Sequence, residues 1–346
     1  MGNTGINTGA IIQANLIGTN ASGTAAIGNG FGGILFYRAE NTTIGGPNAD
    51  DGNLISGNSR GIDFALLVAG TKIQGNKIGT DITGVNPIPN TLSGIRVYSS
   101  PSASDVLIGG AGAAANVIAF NGTFGITIES TSSQRLSFLG NAIYGNGTLS
   151  IDLEANGATT NDPNDIDDGA NGRQNYPEIL AAVRTNAGTV SLHYTLDTNG
   201  SQQMRLEFFS SPSCGVANLK PEARSLIRSS TPLLDATGDL DVTNSIATLP
   251  AGTFLAATAT DGNGSTSELS PCVAVAPRPP SDVTCDDLVN GVDALAILRS
   301  IAGFSSGVLP QQCAVDAISP FGDANQDMAV NVLDALFARK AAAGLP

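Results

Sequence analysis

The sequence predicts a mainly β chain, in which successive turns of a right-handed parallel β-helix lead into a β-sandwich and then a small α-helical calcium-binding domain. Three observations carry this reading. The first half repeats itself, a middle segment (178–276) alternates short apolar strands with turn residues, and two acidic loops near the end each run into an apolar helix.

Composition narrows the field first. Glycine supplies 42 residues, tryptophan none, and only 13% of residues are charged, which describes many tight turns and neither a disordered chain nor a helical bundle. Thirty Asp and Glu stand against 16 Lys and Arg, a net charge of -14, so nucleic acid is repelled and cations are favoured. No apolar run approaches the roughly 18 residues of a membrane span, so no membrane insertion is expected. Met1-Gly2-Asn3-Thr4 has neither the basic start nor the apolar core of a signal peptide. Ile11-Ile12-Gln13-Ala14-Asn15 already reads as the middle of a repeat, so the true start is expected upstream. Four cysteines in small non-helical domains read as two disulfides, Cys214 with Cys272 and Cys285 with Cys313, and imply export to the medium or the cell surface.

The repeat appears when the chain is laid on itself. Thr71 to Thr80 repeats Ala10 to Thr19 at an offset of 61, with Asn-x-Ile recurring inside that period at Asn15, Asn53, Asn76, Asn116 and Asn141. Inserted loops, Thr19 to Gly32 and Thr80 to Ser93, explain the alternating spacing. Each unit has a second strand, at Ile34-Leu35-Phe36, Ile62-Asp63-Phe64, Ile95-Arg96-Val97, Ile126-Thr127-Ile128 and Ile151-Asp152-Leu153, whose outer two residues must face inward. A third strand points Thr42/Ile44, Thr71/Ile73, Val106/Ile108 and Leu136/Phe138 inward, with glycine near the turn that follows. Strands this short, with no crossover helix between them, satisfy their backbone only by pairing with the units above and below at about 4.8 Å. The five asparagines then occupy equivalent corners, where their amides bond to one another.

These motifs resemble the right-handed β-helix repeat proteins of the pectate-lyase-like superfamily, over residues 1 to about 153. The resemblance implies a fold whose enzymes cut acidic polysaccharides along one outer sheet. Polygalacturonase-like members carry Gly-His-Gly and Arg-Ile-Lys, and neither tripeptide occurs here. The only histidine, His193, reads as an ordinary strand residue. Asp63, Arg96, Thr127 and Asp152 follow Leu35 along one outward column, where an arginine between carboxylates would hold a uronate. The competing reading is an ion pair on a solvated face, worth less than about 1 kcal/mol. Asp50 and Asp51 complete the catalytic candidates with Asp63, Arg96 and Asp152, although their adjacency requires a loop for joint action.

After Leu153 the repeat stops. Asn161-Asp162-Pro163-Asn164-Asp165-Ile166-Asp167-Asp168-Gly169 gathers oxygen ligands suited to calcium or, equally, forms a solvated acidic loop, and the first domain is taken as 1–177. The same resemblance includes a similar Asn-Asp-Pro and Gln-Asn-x-Pro junction. In 178–276, strands are expected at Ile179 to Arg184, Thr189 to Leu196, Met204 to Phe209 and Phe254 to Ala259. The ending Thr260 to Ser270 resembles the last hairpin of an immunoglobulin-like module, which implies a spacer or scaffold role.

Pro277-Arg278-Pro279-Pro280 (277–280) makes an extended linker. Beyond it lie two loops with calcium-ligand spacing: Asp282, Thr284, Asp286, Leu288 (by its carbonyl), Asn290 and Asp293, then Asp323, Asn325, Asp327, Ala329 (by its carbonyl), Asn331 and Asp334. Each runs into an apolar helix, from Ala294 and from Ala335. The pair, 281–346, resembles dockerin, the calcium-dependent module that docks on cohesin domains, and so implies a cohesin-like partner. Asp287 and Met328 stand where that family has glycine, and the interval between the repeats is enlarged and contains Cys313.

The function expected is an extracellular scaffold that binds carbohydrate or a cell surface and attaches through a calcium-dependent dockerin-like module. The competing reading is a polysaccharide lyase or glycoside hydrolase acting on an acidic plant-type polysaccharide in a cellulosome-like assembly.

Overall fold

The structure, a computed structural model, describes residues 7–98, 103–185, 189–199, 203–215, 220–235, 237–277, 290–301 and 332–342. The chain is mainly β, with two large parallel sheets and a small helical region near its C-terminus. It divides into two compact units, one formed by Met1–Ala181, His193–Thr243 and Thr253–Ala274, the other by Ala182–Leu192, Asn244–Gly252 and Val275–Pro346.

The parallel sheets belong to the first unit and follow the repeat. In the five-stranded sheet Leu16–Ile17, Leu54–Ile55, Lys77–Ile78, Val117–Ala119 and Ala142–Tyr144 pair in chain order, so that Ile17, Ile55, Ile78, Ile118 and Ile143 share one column. The eleven-stranded sheet contains two runs. One, from Gly32–Glu40 to Ile151–Leu153, aligns Ile34, Ile62, Ile95, Ile126 and Ile151. The other aligns Ile12, Ile44, Ile73, Ile108 and Phe138, and the long strands Arg60–Ala69 and Ala103–Gly109 join the runs. From Ile34 onward these columns are buried and form one apolar core, in which the rings of Phe36 and Phe64 stack with centroids 5.8 Å apart. Burial of isoleucine at identical register is the physical content of the repeat. Each column residue contributes about 1.5–3 kcal/mol, as an upper estimate, by leaving water.

The Asn-x-Ile residues form a continuous ladder. Asn15 donates through its backbone N–H and Nδ2 to Asn53 Oδ1, Asn53 likewise to Asn76, Asn76 to Asn116, and Asn116 to Asn141, all at 2.9–3.1 Å. The spare Nδ2 hydrogens of Asn53, Asn76, Asn116 and Asn141 go to the carbonyls of Ile12, Ile44, Ile73 and Ile108. Gly45 (φ +77) and Gly109 (φ +95) sit directly beneath the ladder, where a β-carbon would strike the Asn76 and Asn141 amides.

A second ladder, outside the Asn-x-Ile motif, runs in parallel through Asn29, Asn58, Asn90, Asn121 and Asn146. Between the two ladders the inserted loops fold alike, with antiparallel bridges Thr19↔Ala26 and Thr80↔Pro87. They also touch, since Ile82 N–H donates to the Gly23 carbonyl at 2.9 Å.

At the C-terminal end of the sheets other segments of the first unit supply partners for the edge. Ile143 and Ala223 exchange backbone bonds, Leu136 N–H donates to Asn171 Oδ1, Phe138 N–H to Thr266 Oγ1, and Leu153 N–H to Glu268 Oε1. Two further sheets follow. Ser225–Ser230, Arg205–Ser211, Phe254–Thr260 and Val273–Ala274 form an antiparallel four-stranded sheet. Glu178–Arg184, Val190–Leu196 and Leu240–Ile246 form a three-stranded one, and the rings of Tyr194 and Phe208 meet at 4.7 Å. The expected strands coincide with strands of these sheets to within two residues at either end. Ser225–Ser230 and Leu240–Ile246 are additional, because the first is a largely exposed edge and the second alternates apolar with Asp, Thr and Ser. Cys214 and Cys272 form a disulfide with Cα atoms 6.2 Å apart.

In the second unit α1 (Gly291–Ile301) and α2 (Val332–Ala342) bury Ala294 and Ile297 with Ala335 and Ala338. Asn290 and Asp293 cap α1 reciprocally, Asn290 Oδ1 accepting from Val292 N–H and Asp293 Oδ2 from Asn290 N–H. Among the described residues no helix is long and apolar enough to cross a membrane.

Candidate metal centre at the acidic junction

Where the repeat ends, the chain turns sharply. Glu154 and Ala155 take positive φ, and the N–H groups of Asn156 and Gly157 fold back onto the Asp152 carboxylate at 3.2 and 3.1 Å. Asn164 and Asp165 again adopt positive φ, a conformation that short polar side chains tolerate best after glycine. Asp162 Oδ2 accepts Ile166 N–H at 3.3 Å, closing the turn. Asn175 locks it from the other strand of the loop: its Oδ1 accepts Asp162 N–H, and its Nδ2 donates to the Asp162 carbonyl.

That fold brings one carboxylate oxygen each of Asp162, Asp165 and Asp167 within 4.8 Å of one another. The acidic loop that the sequence marked for oxygen ligands is therefore where a set capable of holding a metal ion assembles. Asp165 is held most firmly: Asn175 N–H reaches Oδ1 at 2.8 Å, while Gln174 Nε2 and Thr198 Oγ1 reach Oδ2 at 2.7 and 3.2 Å. Asp162 Oδ1 and Asp167 Oδ1 are shielded from solvent and have no hydrogen-bond partner among the described residues. Calcium–oxygen distances run about 2.3–2.6 Å, so two oxygens on one ion stand at most about 4.6–5.2 Å apart, and the three carboxylates lie within that limit.

Electrostatics agree with the geometry. Burial, reinforced by the charges of Asp162 and Asp167, pushes Asp165 up to about 6 against the hydrogen bonds that it accepts. Burial and the neighbouring Asp162 also raise Asp167, opposed by Arg173. Arg173 is shared between Glu154 at 2.8 Å, outside the cluster, and Asp167 at 3.6 Å. One guanidinium does not neutralise this group of acids, and a divalent cation would relieve their mutual repulsion. A polar cleft of about 530 Å³ opens alongside, lined by Arg135, Asp165, Asp167, Asp168, Asn171 and Asn263 among others. A second cavity of about 510 Å³ adjoins Asp162 and carries Glu178, Asp197, Asp235, Asp239 and Asp241.

The outward column lies in register as Leu35, Asp63, Arg96, Thr127 and Asp152. Arg96 grips Asp63 with two bonds, Nε to Oδ1 at 2.9 Å and an Nη to Oδ2 at 3.2 Å, and packs over the Tyr98 ring at 4.8 Å. Glu129 and Arg60 extend the pair at 3.6 and 4.0 Å. This face is less solvated than a free outer face, since Asp63, Thr127 and Asp152 are all buried. Asp152 is covered by its own loop, and burial raises its pKa. Asp51 closes a turn by accepting from Asn48, and Asp50 is exposed beside it, so the structure joins Asp63 to Arg96 but places this doublet in the turn before Leu54. His193, in its strand, contacts Asp241 at 2.8 Å.

Of the C-terminal ligand set, Asn290, Asp293 and Asp334 are described, and Asp293 and Asp334 are buried in the first turns of α1 and α2. Asp282, Thr284, Asp286, Leu288, Asp323, Asn325, Asp327, Ala329 and Asn331 lie outside the described residues, as do Cys285 and Cys313.

Glu268 was not foreseen. Its carboxylate accepts Leu153 N–H at 2.7 Å and Thr159 N–H at 2.8 Å, and burial, with Asp152 nearby, pushes it up to about 7. Nothing in Thr266-Ser267-Glu268-Leu269-Ser270 distinguishes such a glutamate from a solvated one. Comparison with known proteins finds no family model that matches the chain and no curated relative.

Proposed function

We propose that the chain is an extracellular scaffold that binds carbohydrate or a cell surface and attaches through a calcium-dependent, dockerin-like module. In this reading residues 1–177 form a right-handed parallel β-helix whose turns stack, and 178–276 form an immunoglobulin-like β-sandwich. The linker at 277–280 then leads to the dockerin-like domain at 281–346. The observation that carries the proposal is the convergence of Asp162, Asp165 and Asp167, a cation site made of loop carboxylates at the junction between β-rich segments. A cation there rigidifies the junction by tying one loop at three points.

The outer sheet supports binding over turnover. Its arginine and aspartate neutralise each other, and Asp152 and Glu268, whose pKa values are raised, spend their oxygens on backbone N–H groups. Tyr37 and Tyr98, 63% and 52% exposed, offer ring faces on which a sugar can stack. The attachment role draws support from α1 and α2, where Val292 and Leu295 are matched by Leu333 and Leu336 as exposed apolar residues. Such a face suits a cohesin-like partner.

The test is affinity electrophoresis of the full chain in calcium through acidic plant-type polysaccharides, with product analysis in parallel. Retardation that weakens in Tyr37→Ala and Tyr98→Ala, without new reducing or unsaturated ends, is expected. Catalytic release of such ends would establish the lyase or hydrolase reading instead.

A further inference from the structure

Among the described residues, the N-terminal end of the parallel sheets has no counterpart of the segments that cover the other end. Leu16–Ile17 and Ile11–Ile12 are terminal strands of their sheets, and residues 32–38 pair on one side only among the described residues. In the segment that leads into this edge Ile11, Ile27 and Phe31 are 69%, 67% and 80% exposed. No charged residue and no proline occurs before Arg38, in a chain of net charge -14. Exposed edges are ordinarily blunted by charge or proline, because an unpaired row of N–H and C=O groups recruits other strands. This edge carries neither safeguard.

Both asparagine ladders also stop here with acceptors open. In every later repeat the side-chain oxygen receives hydrogen bonds from the asparagine one repeat earlier. Among the described residues nothing donates to Asn15 Oδ1 or Asn29 Oδ1, although both side chains donate onward. We infer that this end is a docking surface, and that its occupant is one further unit of the same repeat, an Asn-x-Ile-x-x-Asn polypeptide laid in parallel register. Only that register places a backbone N–H and an Nδ2 together over each open oxygen. A second copy related by a two-fold axis would present antiparallel strands. A head-to-tail copy would have to displace Glu268, Thr266, Asn171 and Ala223 from the opposite edge. The surface matches the repeat in polarity as well, being neutral and apolar with two amide acceptors.

This inference rests on the stacked reading of the parallel half, and hydrogen exchange separates the two. The full chain is prepared with residues 42–67 duplicated in place of residues 1–6, which sets copies of Asn53 and Asn58 one repeat before Asn15 and Asn29. Amide exchange across 11–36 is expected to slow by at least about tenfold, and to slow less when both duplicated asparagines are alanine. Unchanged exchange in 11–36, with 54–128 still protected, would overturn the docking inference alone, whereas rapid exchange throughout 54–128 would overturn the stacking beneath it. Sedimentation of the unextended chain is expected to give a monomer. A dimer dispersed by Ile11→Glu and Phe31→Glu would make a second copy the occupant and overturn the proposal.

Discussion

The two ends of the parallel sheets solve the same problem differently. At the C-terminal end, backbone donors that would meet a further strand are met by a glutamate, a threonine, an asparagine and the backbone of Ala223. At the N-terminal end, an uncharged segment leaves, among the described residues, Ile11, Ile27 and two asparagine oxygens open. The difference teaches that the repeat does not terminate itself. A column of identical residues is satisfied only from both sides, so termination requires a chemically different segment. Here it is supplied by residues from about 171 to 268, far along the chain, and the acidic junction arises where the chain leaves the sheets to reach them.

The largest effect is expected inside the parallel sheets. Asn76→Ala removes the acceptor for Asn53 N–H and Nδ2 and the donor to the Ile44 carbonyl, all buried. Urea unfolding should show a loss of about 3 kcal/mol or more, since each orphaned buried group costs about 1–3 kcal/mol. Asn15→Ala, at the open end, should cost under about 1 kcal/mol, because water reaches its partners. Equal losses at the two positions would erase the contrast between interior and end.

Glu268 comes next. Glu268→Ala should cost about 2 kcal/mol by orphaning the N–H groups of Leu153 and Thr159. Its folded pKa, about 7, lies above the ordinary 4.5, so the folded state binds the proton more tightly. The contribution is therefore fully favourable below the ordinary value and is lost as pH rises through the folded one. Thermal melts should show stability declining between about pH 4.5 and 7, and Glu268→Gln should reduce that slope most in its upper part, above the value of about 6 to which Asp165 is pushed. A slope between about pH 6 and 7 that is unchanged in Glu268→Gln would assign it to other carboxylates.

A smaller change is expected on the outer face. Arg96→Met removes both bonds to Asp63, whose side chain is only 8% exposed and keeps Arg60 at 4.0 Å. The loss should be about 1–2 kcal/mol, between exposed and fully buried pairs, and chemical denaturation measures it. A loss under about 0.5 kcal/mol would mean that this face is as solvated as an ordinary surface.

These contrasts also mark how much was legible beforehand. Strand positions, inward pairs and the first asparagine ladder follow from Asn-x-Ile and period-two alternation, because a repeat displays each constraint four or five times. The second ladder hid behind the inserted loops. Asn58, Asn121 and Asn146 stand five residues after Asn53, Asn116 and Asn141, whereas Asn29 and Asn90 stand fourteen after Asn15 and Asn76. The pattern Asn-x-Ile-x-x-Asn would have revealed it. The acidic loop was visible as a run of ligands, but the choice of Asp162, Asp165 and Asp167 from it depends on positive φ at Asn164 and Asp165 and on bonds from Gln174, Asn175 and Thr198. Glu268 was illegible for a related reason, since its burial is decided by a segment more than a hundred residues away.

The central claim is that the junction holds a cation, and anomalous diffraction locates one directly. Crystals of the full chain grown in calcium, with data collected to place the ion by its anomalous signal, should show a peak among the carboxylates of Asp162, Asp165 and Asp167, absent from Asp162→Asn/Asp167→Asn crystals. Ordered carboxylates at this junction with no peak between them at saturating calcium would contradict the account.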